Sequence, residues 1–274
     1  MLNKVVVFGG TGFLGKRICQ EAIEKGFQVV SLSRSGKPPA PQSLRDERWI
    51  NEVNWNSANV FSPDTYHKHL AGSPNVVHSL GILLEEESYK KSVRKPLNIS
   101  LDLKNWLPSF GKNPLQNKDP NFTYERMNKQ SALIVADALM KTLDPSKTAV
   151  EDRPSFTYIS ADRGFPLIPE GYITSKRGAE KELMKRDHLL RPILMRPGFM
   201  FDSNKRSKDA RSYIHNALEL LNCGNKVILG NNVQLFNEVI RPTISIQQVS
   251  RSIISRIRDQ QFEGVVNLED ILKA

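Results

Sequence analysis

The stretch EGYITSKRGAEKEL carries Tyr172 and Lys176, four residues apart. On a helix that spacing sets both side chains on one face. A lysine ammonium beside a phenol favours the phenolate and lowers a pKa that is ordinarily about 10. A tyrosine so placed exchanges a proton with a carbonyl or an alcohol during hydride transfer. The same lysine is able to hydrogen-bond the ribose of a nicotinamide cofactor. Twelve residues before Tyr172 an apolar run ends in YISA, where Ser160 is suited to orient a substrate oxygen. In a lysine-rich chain a Tyr-x-x-x-Lys match also arises by accident, so its weight depends on its surroundings.

The surroundings begin with VVVFGGTGFLGKRI, residues 5–18. Gly9, Gly12 and Gly15 stand in a Gly-x-x-Gly-x-x-Gly spacing that overlaps Gly10-x-Gly12-x-x-Gly15; Thr11, Phe13 and Leu14 complete the turn. The early glycines permit a tight turn and a close backbone approach to a pyrophosphate. Gly15 lets the following helix pack on the strand, and the helix N-terminus favours the phosphates. A strand before the motif and a helix after it are the context that gives it meaning. An NAD-selective site of this kind ends its second strand in an acid. Here the chain reads SLSRSGK, with Ser33, Arg34 and Lys37 and no acid. Ser33 and Arg34 suit a 2′-phosphate, so the expected cofactor is NADP(H). The alternative is that Arg34 is an ordinary solvated loop residue.

These residues need a scaffold that brings strand ends together. Val5–Phe8, FQVVSLS, NVVHSLGIL, SFTYISA, RPILMRPGFMF and GVVNL read as strands. Helical patterns run from about Phe13 to Lys25, through MNKQSALIVADALMKT, from about Tyr172 to Arg186 and near 211–223. The alternation predicts an α/β fold, a doubly wound parallel Rossmann sheet with a small C-terminal lobe. Residues 1–200 form the expected NADP(H)-binding domain and residues 201–274 a substrate or partner lobe packed on it. Residues 84–121 break the rhythm and read as a long insertion loop. Its Lys and Arg residues, beside Trp106, Leu107 and Phe110, also suit an interfacial membrane segment.

The 274 residues carry 39 Lys and Arg against 29 Asp and Glu, a net charge of +10. That excess suits an anionic neighbour: phosphates, nucleic acid or an acidic membrane face. No RNA-recognition motif is present, so nucleic acid is not the expected partner. Cys19 and Cys223 read as reduced, buried thiols, without a Cys-x-x-Cys pair, and no metal site is expected. No apolar run reaches a membrane-spanning length. A cleavable leader has no room ahead of the first strand, so any organelle address is expected to be internal or to precede these residues.

The motifs together resemble the extended or atypical short-chain dehydrogenase/reductases, over nearly the whole chain. VFGGTGFLG is similar to the family's glycine motif and VVHSLGI to the segment after its fourth strand. The resemblance therefore implies that Ser79, Leu80 and Gly81 lie along the cofactor. Asn128 in YERMNKQSA matches the helix asparagine that supports the family's proton relay, by holding a relay water. MRPGFMF resembles the Arg-Pro-Gly segment that sets Pro197 and Gly198 near the nicotinamide. Where extended members carry an acid that recognises adenine, this chain has Asn59, followed by Val60. The gap from Ser160 to Tyr172 is also shorter than in many extended members.

GFLGKRICQEAIEKGFQVVSLSRSGK and ISADRGFPLIP further resemble members that serve ubiquinone (coenzyme Q) biosynthesis in fungal mitochondria. Such proteins associate with the coenzyme Q biosynthetic complex at the matrix face of the inner membrane. A more distant likeness is to the NADPH-binding accessory subunit of respiratory complex I. The resemblance implies an oxidoreductase, or else a nucleotide-loaded scaffold or regulator without turnover. It also implies peripheral contact with an anionic inner membrane.

Overall fold

The computed structural model describes residues 3–83, 121–144, 149–163, 169–203 and 241–273. The insertion 84–121 (but for Asn121), the helix expected near 211–223 and Cys223 lie outside the described residues. Among the described residues, seven parallel strands form one sheet: β1 (Lys4–Phe8), β2 (Gln28–Ser33), β3 (Asn54–Ser57), β4 (Asn75–His78), β5 (Ser155–Ile159), β6 (Arg191–Met195) and β9 (Gly264–Val266). Their order is β3-β2-β1-β4-β5-β6-β9. β7 (Met200–Phe201) and β8 (Ile244–Ser245) pair separately.

Both faces of the sheet are covered, and the pleat decides which residue goes where. Val5 and Val7 of β1 point into a core with α1 (Gly15–Glu24), α2 (Leu44–Glu52), α6 (Ile246–Arg258) and α7 (Leu268–Leu272). Val6 and Phe8 point into the opposite core, with α3 (His67–Leu70), α4 (Ser131–Met140) and α5 (Glu170–Met184). Each large side chain buried this way stabilises the fold by roughly 1.5–3 kcal/mol. This is the doubly wound parallel sheet that the alternating elements predict. Its order reverses between β1 and β4, so a crevice opens there beyond the carboxyl ends of the strands.

The described residues 241–273 are tied to the same body. α6 packs against α1 in the first core. Arg191, buried at the start of β6, donates to the carbonyls of Asp259 (3.0 Å), Phe262 (2.6 Å) and Ile257 (3.0 Å), closing the C-terminal end of α6. Ser245 and Gln248 form a capping box at its other end.

Several boundaries differ from the sequence expectation. The fourth strand ends at His78, and Ser79–Ile82 is loop. RPILMRPGFMF is not one strand: Pro197 lacks an N–H for a ladder, and the chain breaks into β6 and β7. MNKQSALIVADALMKT is not one regular helix either. A π-helical turn, Glu125–Gln130, leads into α4. The helix of Tyr172 begins earlier and ends earlier than expected, spanning Glu170–Met184.

Candidate functional site: the crevice at the strand ends

The glycine turn leaves β1 at Gly9, whose φ of +84° suits a residue without a Cβ. Its N–H donates to Leu32 (2.8 Å), and its carbonyl accepts from the Gly12 N–H (2.8 Å). A Cβ on Gly15 would overlap the Gly9 carbonyl oxygen, so the α1 start seats directly on the turn. Gly12 is exposed, and a Cβ there would meet only the Gly9 oxygen, at 3.0 Å. α1 has no side-chain cap at Leu14 and no acid in its first turn. Thr11 and Phe13 are half-buried beside it. A turn open at Gly12, at the positive end of a helix with no acid in its first turn, fits a dinucleotide pyrophosphate. Cys19 lies beneath this turn, and burial pushes its thiol up to about 12.

The loop after β2 is pinned from below. Ser33 Oγ accepts from the Gly36 N–H (3.1 Å), and Ser57 Oγ donates to the Arg34 carbonyl (2.9 Å). The Arg34 side chain is exposed above it. After β3, Asn59 engages its own turn: Oδ1 accepts from the Phe61 N–H (3.1 Å) and Nδ2 donates to Ser62 Oγ (3.2 Å). Val60 is buried beside it, its carbonyl held by the Tyr66 hydroxyl (3.0 Å).

The loop after β4 meets both halves of the crevice. A Cβ on Gly9 would stand 2.8 Å from Leu80 Cδ2 and 3.2 Å from the Ser79 oxygen. One on Gly81 would stand 3.0 Å from Lys176 Nζ and 3.1 Å from Asn128 Oδ1. Gly81, Asn128 and Lys176 therefore converge on one point. Lys176 is only 3% exposed. Its Nζ donates to the Ile159 carbonyl (2.7 Å) and lies 4.9 Å from the Tyr158 ring centre and 5.9 Å from that of Tyr172. Burial brings its pKa down to about 7, with Glu180 opposing the shift.

Asn128 acts as a splint. Its Oδ1 accepts from the Ile82 N–H (2.8 Å), and its Nδ2 donates to the Ile82 carbonyl (3.1 Å) and to Ser175 Oγ (3.3 Å). Its backbone carbonyl accepts from the Tyr158 hydroxyl. Deeper still, Ser131 Oγ donates to the Met127 carbonyl (2.7 Å), so it accepts from His78 Nε2 (2.9 Å). His78 is held neutral, its pKa brought to about 3 by burial and by Lys176. The π-helical turn that aims Asn128 is thus fixed by two buried side chains of β4 and β5.

Ser160 is directed elsewhere. It is buried, and its Oγ accepts from Arg177 Nη1 (3.1 Å), one residue past Lys176. Arg177 also donates to the carbonyls of Ala161 (2.9 Å) and Asp162 (3.1 Å) and pairs with Glu180 (2.7 Å), which Arg196 grips with two nitrogens. Pro197 receives the Asp162 N–H (2.9 Å), and Gly198 lies against the Pro242 carbonyl. Asp162 is paired in turn with Arg241.

Tyr158, His78, Arg177 and Tyr124 were not among the residues that the sequence singled out. Each lies inside a quoted segment (YISA, VVHSLGI, EGYITSKRGAEKEL and YERMNKQSA), but no motif spacing sets it apart. Among the described residues, no group of three or more His, Cys, Asp or Glu side chains is placed to hold a metal, and no helix is long and apolar enough to cross a membrane.

A seven-stranded parallel sheet with helices on both faces and a glycine turn at its switch point is a Rossmann-like α/β fold. Residues 5–106 match the NAD dependent epimerase/dehydratase family. MIOREX complex component 2 of Saccharomyces cerevisiae is 57% identical over 279 residues, covering 100% of both chains. The chain belongs to the same family as that yeast protein. A short-chain dehydrogenase/reductase family oxidoreductase from Burkholderia thailandensis superposes with TM-score 0.57 at 13% identity, covering 98% of this chain and 93% of that one. A Thermus thermophilus UDP-glucose 4-epimerase solved in complex with NAD gives 0.56 at 12% identity, with coverage of 97% and 77%.

Proposed function

We propose that the protein is an NADP(H)-binding oxidoreductase that supports ubiquinone (coenzyme Q) biosynthesis in mitochondria. The observation that carries the reading is the meeting of Gly81, Asn128 and Lys176 beside Tyr172, across the crevice from the glycine turn. A dinucleotide held there would supply or accept a hydride. Tyr172 moves the proton at the substrate oxygen. Lys176 favours the phenolate and hydrogen-bonds the ribose. Arg34 and Ser33 take the 2′-phosphate, and Ser79, Leu80, Pro197 and Gly198 flank the cofactor. The substrate or partner lobe is assigned to residues 201–274, of which β9, α6 and α7 also complete the main sheet and its first core. The ubiquinone role and the matrix face of the inner membrane rest on the resemblance of the sequence motifs. Membership of a multi-protein complex has support from the name of the yeast relative. Peripheral contact with anionic lipid rests on the net charge of +10.

A second reading is favoured by one contact. Ser160 is engaged by Arg177, which suits a nucleotide-loaded scaffold or regulator without turnover. Mixing the protein with NADPH and hydroxylated or quinoid benzene-ring compounds, and following cofactor oxidation, separates the two. Oxidation that disappears in Tyr172→Phe supports the enzyme; tight NADPH binding without oxidation supports the scaffold.

A further inference from the structure

Two helical segments carry a tyrosine one turn ahead of a polar residue of the site: Tyr124 before Asn128, and Tyr172 before Lys176. The segments pack side by side, so the two polar residues meet at Gly81 and the two tyrosines meet above them. The rings of Tyr124 and Tyr172 stand edge to face, centres 6.2 Å apart at 70°. A Cβ on Gly171 would lie 3.1 Å from Tyr124 Cδ2, so glycine at 171 lets the Tyr124 ring lie close to the start of α5. The Tyr124 hydroxyl donates to the Leu83 carbonyl (2.9 Å). Asn128 already holds both backbone groups of Ile82.

We propose that Tyr124 is a positioning residue of the crevice, with its ring and its hydroxyl doing separate jobs. The ring walls one side of Tyr172 and fixes the direction of its phenol. The hydroxyl, together with Asn128, clamps the Ile82–Leu83 backbone, and so holds Gly81 at Lys176. The proposal rests on the reading of the crevice as a dinucleotide site with Tyr172 at its reacting end. An aromatic side chain suits both tasks, because it has few torsions to order and offers a rigid edge with one polar tip.

The test uses the full chain and two variants. Tyr124→Phe keeps the ring and removes the hydroxyl; Tyr124→Leu removes both. The reactivity of Tyr172 is read as its acetylation rate with N-acetylimidazole, by peptide mass spectrometry. NADPH affinity is read by titration calorimetry, and thermal midpoints check folding. Tyr124→Leu should raise Tyr172 acetylation at least fivefold, and Tyr124→Phe should restore it to within twofold of the parent. Tyr124→Phe should still weaken NADPH several-fold, because the clamp on Leu83 is gone. Unchanged acetylation in a folded Tyr124→Leu protein overturns the role of the ring. Parental NADPH affinity in Tyr124→Phe overturns that of the hydroxyl. A parent that does not bind NADPH refutes the cofactor reading and the clamp together, while the acetylation rates still decide the ring.

Discussion

Lys176 rests on Tyr158: the ammonium nitrogen lies 4.9 Å from the ring centre and donates to the neighbouring Ile159 carbonyl. A buried cation needs such partners, because burial alone drives it toward the neutral form. The ring face and one carbonyl compensate in part, and the pKa stays down at about 7. In the unfolded chain a lysine titrates at about 10.4.

This difference gives stability a pH dependence with a definite sign. Between pH 7 and about 10.4 the unfolded chain holds a proton that folded Lys176 has shed, so stability rises with pH across that window. Below pH 7 both states are protonated and the contribution is flat. The slope is at most about 1.4 kcal/mol per pH unit. Urea unfolding at pH 7, 8 and 9 should show the parent gaining stability relative to Lys176→Met. Parallel curves for the two would mean that Lys176 keeps its proton in the folded state.

His78 sets an acid limb in the same way. Its folded pKa is brought down to about 3, against about 6.5 when unfolded, so stability is lost as pH falls through that interval. His78→Phe should flatten the loss between pH 6 and 4. Its cost at neutral pH should be about 1 kcal/mol, since Ser131 keeps its bond to Met127 and a buried acceptor without a partner, Nδ1, is removed. Denaturation midpoints across this range are the measurement.

Six strands of the sheet were legible because they carry apolar runs, as in Val5–Phe8 or SFTYI; the edge strand β3, Asn54–Ser57, is polar and half-exposed and carries no such signal. The glycine turn was legible because each glycine answers a local steric need at a fixed spacing. The side-chain partners were not. Nothing in YISA says that Ser160 will accept from Arg177, because that contact depends on how α5 is rotated over the end of β5. Nor does RMNKQ announce a π-helical turn. Its extra residue is held by Tyr158 and by His78 through Ser131, from strands 30 and more residues away in sequence.

The glycines of the turn should separate folding from binding. Gly15→Ala sets a methyl group into the Gly9 carbonyl and should destabilise by roughly 1–3 kcal/mol, as overpacking does. Gly12→Ala is milder, its Cβ crowding the Gly9 oxygen at 3.0 Å with nothing else in reach. It should destabilise less than Gly15→Ala and lose NADPH out of proportion to that cost, because its methyl group occupies the approach of the pyrophosphate. Parental NADPH affinity in Gly12→Ala would put the dinucleotide elsewhere.

Arg34 is exposed over a loop pinned by Ser33, Gly36 and Ser57, so its removal should leave that loop in shape. Arg34→Ala should weaken NADPH by roughly 1.5–3 kcal/mol, the scale of a hydrogen bond to a charged group. NADH should barely change. Calorimetry with both cofactors decides it, and equal losses would contradict a 2′-phosphate site at Arg34.

Ser160 and Tyr172 together separate an enzyme from a scaffold. Arg177 keeps two carbonyls and Glu180 when the Ser160 hydroxyl is removed, so Ser160→Ala should fold normally. If Ser160 turns from Arg177 to a substrate oxygen, Ser160→Ala should cost turnover on the order of tenfold or more. If it serves Arg177 alone, turnover should fall less than threefold, the acid–base work then resting on Tyr172. Tyr172→Phe removes the proton donor and should lower turnover by about 10²–10⁴-fold with NADPH affinity nearly unchanged. Returned to a strain lacking the protein, each variant would be scored by its ubiquinone content. A Tyr172→Phe chain that fully restores ubiquinone rules out the catalytic role. The nucleotide-loaded scaffold then makes its own demand: Gly12→Asp, whose carboxylate repels the pyrophosphate at the α1 N-terminus, must fail in the same strain.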